Sequence, residues 1–207
     1  DILALYEDEV TPQRLRAAIS EVGARCCAGD CFVFYFSGCA TSLADEGEGG
    51  EGEAFCLLGE EDGLPSPAAL LSEEEFGDIL AGVVPKGCRV LILSDCRHSE
   101  SIPDLRRGDW SARQVIAITG FMRRLAHDDP GGNGTFTHSL LLATAKLQCL
   151  GHESYSVGAL YNMALRQEGR VFGSEQDLSI QSSPSSPPWQ MAWPLVPTAK
   201  YDPPEGG

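Results

Sequence analysis

The sequence predicts a single α/β domain, an αβα sandwich around a mainly parallel central sheet. Short apolar runs rich in β-branched and aromatic residues occupy 31–36, 88–94 and 115–118. Segments with apolar residues at helical spacing lie before, between and after these runs. Strands that alternate with helices are typical of this architecture, and 207 residues are enough for one domain with a sizeable core.

The first two predicted elements are a helix and a buried strand. Thr11 is a suitable N-cap, Pro12 is a suitable first helical residue, and Gly23 ends the segment. The run at 31–36 is short, continuous and aromatic, which indicates a parallel strand buried on both faces. Between Pro12 and Gly23, apolar residues recur at helical spacing, namely Leu15, Ala18, Ile19 and Val22.

The next part of the chain predicts an acidic loop followed by a second helix. Residues 40–53 are rich in Gly and Glu and cannot bury enough apolar surface to fold alone, so we expect a mobile surface loop there. Residues 54–58 form a candidate short strand. Ser72 and Glu75 make a capping box at the start of a helix whose buried face carries Phe76, Ile79, Leu80 and Val83.

The remaining elements continue the alternation of strands and helices. Residues 88–94 and 115–118 predict two more core strands. Residues 135–149 and 156–167 predict two helices. The Ser/Pro-rich stretch 173–207 predicts an irregular tail.

Composition limits the class of partner and the compartment. The formal net charge of -15 repels phosphate backbones, so nucleic acid is a poor partner, whereas cations, basic peptides or basic proteins suit such a surface. No apolar run approaches the length needed to span a bilayer. The eight cysteines include no CxxC pair, which fits a reducing intracellular compartment better than a disulfide scaffold. We expect the cytoplasm, with an organelle as the alternative.

The two segments that follow the strands ending at Phe36 and Ser94 form the candidate site, because sites in such sheets lie at the carboxyl ends of strands. Residues 35–41 are Tyr-Phe-Ser-Gly-Cys-Ala-Thr. They resemble the metacaspase segment Tyr-Tyr-Ser-Gly-His-Gly-Thr, which carries the catalytic His. Residues 95–101 are Asp-Cys-Arg-His-Ser-Glu-Ser. They resemble the family's Asp-(Cys/Ser)-Cys-His-Ser-Gly-Ser, which carries the nucleophile.

Three further segments extend this resemblance in the family's order. They cover 115–120, 134–138 and 176–179, so the resemblance runs from about residue 11 to residue 195. It implies a caspase-like form of the αβα sandwich. The first strand and helix of the family would precede Asp1, so the resemblance also implies that these two elements are missing from this sequence.

Both positions of the catalytic dyad depart from the family pattern. Cys39 stands where the family has its general-base His, and Arg97 stands where it has its nucleophilic Cys. A cysteine protease needs a thiolate and an imidazole, whereas Arg has no acceptor and stays protonated. The resemblance therefore implies a catalytically inactive pseudo-protease. Cys39 is most simply an ordinary thiol, and the alternative is a redox-sensitive thiol.

A relocated nucleophile is the alternative to inactivity. Cys96 could attack with His98 or His138 as its base, in a calcium-dependent cysteine endopeptidase that cleaves after Arg or Lys. Neighbouring side chains of a strand point to opposite faces. If Arg97 faces the cleft, we therefore expect Cys96 to face the core.

The resemblance also implies a pocket for a basic side chain and a calcium cluster. Asp95 stands at the pocket position, and we hypothesise that Arg97 fills this pocket as an internal ion pair with Asp95. Glu73, Glu74 and Asp104 fall on family positions for calcium-binding carboxylates. The helix dipole accounts for Glu73 and Glu74 without a metal. We expect no required cofactor, with Ca²⁺ as the alternative.

These features lead to three functional hypotheses. The first is a binding or structural subunit that acts with a protein partner or in a larger assembly. The second is the active endopeptidase with the relocated nucleophile. The third is a regulator that pairs with an active relative through a sheet edge.

Overall fold

The computed structural model describes residues 2–43, 52–59, 69–97, 102–106, 110, 112–122, 135–167, 176–184 and 186–195. The helices in these ranges are α1 (Pro12–Gly23), α2 (Glu73–Val83), α3 (Thr135–Cys149) and α4 (Val157–Gln167), and a short 3₁₀ turn covers Glu7–Glu9. The strands are β1 (Cys31–Leu43), β2 (Gly52–Cys56), β3 (Leu70–Ser72), β4 (Arg89–Arg97), β5 (Gln114–Met122) and β6 (Gln176–Ser182). All four predicted helices are confirmed. Within the part described, no helix has the length and hydropathy needed to cross a membrane.

The described strands form one six-stranded sheet in the order β3-β2-β1-β4-β5-β6. The α/β class is confirmed, but the pairings of the strands do not clearly support the prediction of a mainly parallel sheet. Only the pairings of β4 with β1 and with β5 are parallel, and the other three are antiparallel. Continuous apolar runs identify strands that are covered on both faces, which are the three central ones. The outer strands are antiparallel to their neighbours, and antiparallel strands need no continuous apolar run. The pattern of apolar residues therefore did not indicate in which direction the outer strands run.

Helices cover both faces of the sheet. On one face, α1 and α2 pack onto sheet residues that include Phe34 and Val90. On the other face, α3 and α4 pack onto residues that include Leu91 and Ile116. Side chains alternate along a strand, so the even-numbered residues of β1 and β4 face α1 and α2, and the odd-numbered residues face α3 and α4. We call these the α1/α2 face and the α3/α4 face. The αβα sandwich predicted from the sequence is confirmed.

An aromatic cluster anchors the short strand β2 on the α1/α2 face. The rings of Phe34, Phe36, Phe55 and Phe76 have neighbouring centroids 4.5 to 6.1 Å apart in tilted or edge-on arrangements. Phe55 and Phe76 are fully buried. Burial of one such side chain contributes about 1.5–3 kcal/mol, so a strand of five residues is held firmly beside β1.

Two segments that we predicted to be irregular contain strands. β1 continues to Leu43 and β2 begins at Gly52, so the predicted loop 40–53 is wrong at both ends. β6 lies within the predicted irregular tail 173–207 and pairs with β5. Residues 44–51 and those after 195 lie outside the described ranges. Both errors have the same cause. A polar or Gly-rich segment can become a strand through backbone hydrogen bonds to its neighbour, and such a segment shows no apolar run that would predict it.

The amino-terminal ends of α1 and α2 are capped as the sequence predicts. The Thr11 hydroxyl accepts a hydrogen bond from the backbone N–H of Arg14 at 3.3 Å. The Ser72 hydroxyl accepts one from the backbone N–H of Glu75 at 3.2 Å. Each cap satisfies a backbone donor that the helix itself leaves unpaired.

The carboxyl end of α2 is held by a buried arginine that the sequence analysis did not single out. Arg113 is 7% exposed. Its guanidinium donates to the backbone oxygen of Ala81 at 2.6 Å and to that of Val84 at 2.6 and 2.9 Å. A cation at this end satisfies the last carbonyl groups and complements the helix dipole.

Candidate functional site

The carboxyl ends of β1 and β4 bring together the two segments singled out in the sequence. The strands are parallel, and their register pairs Ser37 with Asp95 and Cys39 with Arg97. The two positions expected to hold the dyad are therefore directly adjacent on neighbouring central strands. The predicted strands ended at Phe36 and at Ser94. Cys39 and Arg97 are adjacent because β1 and β4 both continue beyond those residues.

The α3/α4 face of β1 is open to solvent near these positions. Tyr35, Ser37 and Cys39 are exposed, whereas Phe36 and Ala40 on the α1/α2 face are buried. The end of β1 thus forms a floor that is accessible from one side and closed by the aromatic core on the other. A molecule approaching this floor meets two hydroxyl groups and a thiol.

Asp95 lies beside this floor and holds the start of α3. It is 7% exposed and accepts hydrogen bonds from the Thr137 backbone N–H at 3.2 Å and from Thr137 Oγ1 at 2.6 Å. Thr137 is the third residue of α3, so the carboxyl group lies where unpaired N–H groups and the helix dipole favour negative charge.

A hydrogen-bonded chain links β1 to this carboxyl group. The Tyr35 hydroxyl is 2.8 Å from Thr137 Oγ1. Threonine has a single hydroxyl proton, which it donates to Asp95, so Tyr35 donates to Thr137. The roles of Tyr35 and Thr137 were not predicted from the sequence. Both lie in segments that carry the family resemblance, but nothing local indicates which strand end the helix start contacts.

The hypothesis of an ion pair between Arg97 and Asp95 stays a prediction. Arg97 is the last residue of β4. The structure describes its backbone but not its side chain, and His98 lies outside the described residues. The pocket role expected for Asp95 also stays a prediction. What the geometry adds is that this carboxyl group already binds the amino-terminal turn of α3.

Cys96 is buried on the opposite side of the sheet from this floor. It is 4% exposed and belongs to the core of the α1/α2 face. Its candidate base His138 is exposed on α3, and α3 packs on the α3/α4 face through residues such as Phe136. The sheet therefore lies between Cys96 and the helix that carries His138.

The carboxylates suggested for calcium lie beside an arginine or in the first turn of a helix. Arg106 donates to Asp104 Oδ1 from its backbone N–H at 3.0 Å and from Nε at 2.9 Å. The hydrogen bond and charge of Asp104, with a smaller effect of Glu73, raise the pKa of Arg106. Glu73 and Glu74 occupy the first turn of α2, where the helix dipole favours them.

Calcium requires six to eight oxygen ligands. In the described ranges, no three His, Cys, Asp or Glu side chains are grouped so that they could hold a metal ion. Within the described ranges, Arg106 thus contacts Asp104 where a cation would need that carboxylate. Binding of Ca²⁺ stays a prediction.

Cys39 has a second cysteine beside it. β1 and β2 are antiparallel, and their register pairs Cys39 with Cys56. Cys39 is exposed, Cys56 is half-buried, and neither forms a disulfide. Burial, and after it the charge of Cys39, raises the pKa of Cys56. This neighbour was not predicted, because Cys39 was expected at the edge of a loop and not within a paired strand.

Comparisons with known proteins agree with the resemblance seen in the sequence. Residues 4–106 match a family model described as metacaspase, peptidase C14 domain. Metacaspase-4 of Arabidopsis thaliana is 32% identical over 96 residues, which is 45% of this chain and 21% of that protein. The chain therefore spans about a fifth of that relative's length. The crystal structure of protein GSU0716 from Geobacter sulfurreducens superposes with a TM-score of 0.59 at 18% identity, covering 87% of this chain and 76% of that one. This last similarity concerns the fold alone.

Proposed function

The chain carries a caspase-like domain of the metacaspase, peptidase C14, family, and from this premise we propose that it is a pseudo-protease that acts by binding and not by peptide hydrolysis. One observation carries the proposal. The adjacent positions that hold His and Cys in the family pattern are Cys39 and Arg97 here.

The chemistry of these two residues supports inactivity. The family reaction requires a thiolate that attacks the scissile carbonyl and an imidazole that takes and returns the proton. A guanidinium has five N–H donors and no lone pair for attack, and it stays protonated at any pH near neutrality. The thiol of Cys39 stands at the base position, and a thiol there cannot shuttle protons as an imidazole does.

The position of Cys96 supports the same proposal. A nucleophile must reach a substrate held at the carboxyl ends of the strands, whereas Cys96 is 4% exposed and lies in the core of the α1/α2 face. Use of Cys96 would require that core to open. The active endopeptidase is therefore the second candidate, and the experiment below is designed to detect it.

Peptide hydrolysis by the purified chain tests the proposal. Fluorogenic peptides ending in Arg or Lys are incubated with the chain, with and without calcium, and compared with Cys96→Ala and Cys39→Ala. We expect no turnover above the buffer rate for any of the three. Turnover by the unmodified chain that either substitution abolishes would overturn the proposal.

A restored dyad provides the positive control. The double variant Cys39→His/Arg97→Cys places both family residues on the adjacent positions of β1 and β4. We expect hydrolysis from the double variant and none from either single variant, because each single variant lacks one of the two groups. Equal activity in a single variant would show that the chemistry does not depend on this pair.

We further propose that the binding role is exercised toward a protein partner. In the described part of the chain, β3 and β6 are the outer strands of the sheet, and outer strands present backbone groups that another chain can pair with. The net charge of -15 favours a basic partner. Light scattering on mixtures with an active metacaspase tests the regulator hypothesis. A mass equal to the two separate proteins at all concentrations would reject it.

A further inference from the structure

Cys39 and Cys56 are direct neighbours on β1 and β2, and we propose that they form a redox site that a low-molecular-weight disulfide, such as oxidised glutathione, converts into an intramolecular disulfide. This redox site requires neither hydrolysis nor a partner protein, and it uses two neighbouring thiols.

The register of the two strands permits the bond. Directly opposed residues of an antiparallel pair have their Cα atoms about 4.5 or 5.5 Å apart and their side chains on the same face. Disulfides span Cα separations of about 4.4–6.8 Å. Both kinds of opposed pair fall within that range, so the register brings the backbones of Cys39 and Cys56 close enough for a disulfide.

Exposure decides which thiol reacts first. Cys39 is exposed at the open floor of the site, and Cys56 is half-buried. A tripeptide disulfide therefore reaches Cys39 more easily. Cys56 lies beside it, in the position of a resolving thiol that attacks a mixed disulfide from within the protein.

The reaction proceeds in two exchanges. The Cys39 thiolate attacks one sulfur of oxidised glutathione, a new S–S bond forms, the original S–S bond breaks, and one glutathione thiolate leaves and takes up a proton. The Cys56 thiolate then attacks the sulfur of Cys39, and the second glutathione leaves in the same way. The protein loses two protons and two electrons, and one oxidised glutathione becomes two reduced glutathiones.

The raised pKa of Cys56 sets the pH dependence of the second exchange. Burial, the larger cause of the raised pKa, keeps Cys56 protonated to a higher pH than an ordinary thiol, and it still acts after Cys39 has entered the mixed disulfide and lost its charge. Because only the thiolate attacks, closure of the disulfide should be slow at neutral pH and should accelerate as the pH rises toward the pKa of Cys56.

Equilibration with glutathione followed by peptide mapping tests the proposal. The chain is incubated at constant oxidised glutathione and varied reduced glutathione, quenched with acid, alkylated under denaturing conditions and cleaved after glutamate. Four Glu residues lie between Cys39 and Cys56 in the sequence, so a disulfide appears as two linked peptides. Because closure releases two reduced glutathiones, a tenfold decrease in reduced glutathione should raise the ratio of disulfide to dithiol about 100-fold.

Variants identify the bond. Cys39→Ser and Cys56→Ser should each abolish the linked peptides, whereas Cys149→Ser, which alters an exposed cysteine of α3, should leave them unchanged. A ratio that changes only about tenfold would indicate a mixed disulfide that never closes, and it would overturn the proposal. Linked peptides from another pair, or two thiols that stay reduced, would also overturn it. If a variant does not fold, fragmentation of the linked peptides from the unmodified chain decides the question, because the peptide 22–46 also contains Cys26, Cys27 and Cys31.

Discussion

Replacing Asp95 by Ala should lower the free energy of unfolding by about 3 kcal/mol. Asp95 is 7% exposed and accepts two hydrogen bonds from Thr137, at 2.6 and 3.2 Å. A hydrogen bond to a charged group is worth about 1.5–3 kcal/mol, and a charge at a helix start adds about 0.3–1 kcal/mol. Water that enters the vacated space and binds the first turn of α3 offsets part of this sum.

Two milder substitutions separate the contributions. Asp95→Asn keeps an acceptor but loses the charge, so we expect a loss of about 1–2 kcal/mol. Thr137→Val removes the hydroxyl bond and leaves the backbone N–H bond, so we expect about 1 kcal/mol. The double variant Asp95→Ala/Thr137→Val should be more stable than additivity predicts, by about 1–2 kcal/mol, because the two side chains share one hydrogen bond.

Urea unfolding followed by far-ultraviolet circular dichroism measures these free energies, with an unchanged m-value as the condition for comparing them. Glu153→Ala, which alters an exposed carboxylate between α3 and α4, is the matched control and should change the free energy by less than about 0.5 kcal/mol. The reasoning is refuted if Asp95→Ala costs no more than the control, or if the coupling with Thr137 is zero.

Four further predictions concern other parts of the molecule. Arg113→Met should lower the free energy of unfolding by about 3 kcal/mol in urea titrations, because the carbonyls at the end of α2 lose a charged donor, and a loss below about 0.5 kcal/mol would contradict this. Burial raises the pKa of Cys31 from 9.0 to about 11, so the unfolded chain loses the thiol proton at a lower pH than the folded chain does. Stability should therefore decrease between pH 9.0 and about 11, by at most about 2.7 kcal/mol before solvent screening is considered, and Cys31→Ala should remove that part of the decrease. A methyl group at Gly38 would lie 2.9 Å from the Phe36 ring, so Gly38→Ala should cost about 1–2 kcal/mol in the same assay, and an unchanged midpoint would show that the ring moves freely. Calcium at about 5 mM should leave the unfolding free energy within about 0.5 kcal/mol of its value in chelator, whereas a rise of several kcal/mol that Asp104→Ala removes would establish a site.

Local signals predicted most of the secondary structure. Thr11 and Ser72 begin helices because their hydroxyls bind the backbone N–H three residues later, and this requirement is visible in a few consecutive residues. The three central strands were equally visible, since burial on both faces demands a continuous apolar run. β3 and β6 were not predicted. Each is held by backbone hydrogen bonds to another strand, and such bonds require no particular pattern of side chains in the strand itself.

The candidate site was predictable in part for the same reason. That a site lies at the ends of β1 and β4 followed from the apolar runs and the motifs beside them. The adjacency of Cys39 and Arg97 followed only from the register of two strands more than 50 residues apart in the chain. The contact between Asp95 and Thr137, and that between Cys39 and Cys56, likewise depend on non-local packing.

Amino-acid order alone was enough to predict the helices, the central strands and the substitution of both dyad positions, because each prediction depends on a residue or on its near neighbours. The assembled sheet decided four other features: the direction of the outer strands, the burial of Cys96, the binding of Asp95 to α3, and the position of Cys39 opposite Cys56. The physical reason is that hydrogen-bond register and burial are set by segments far apart in the chain, and no local pattern encodes which of them will meet.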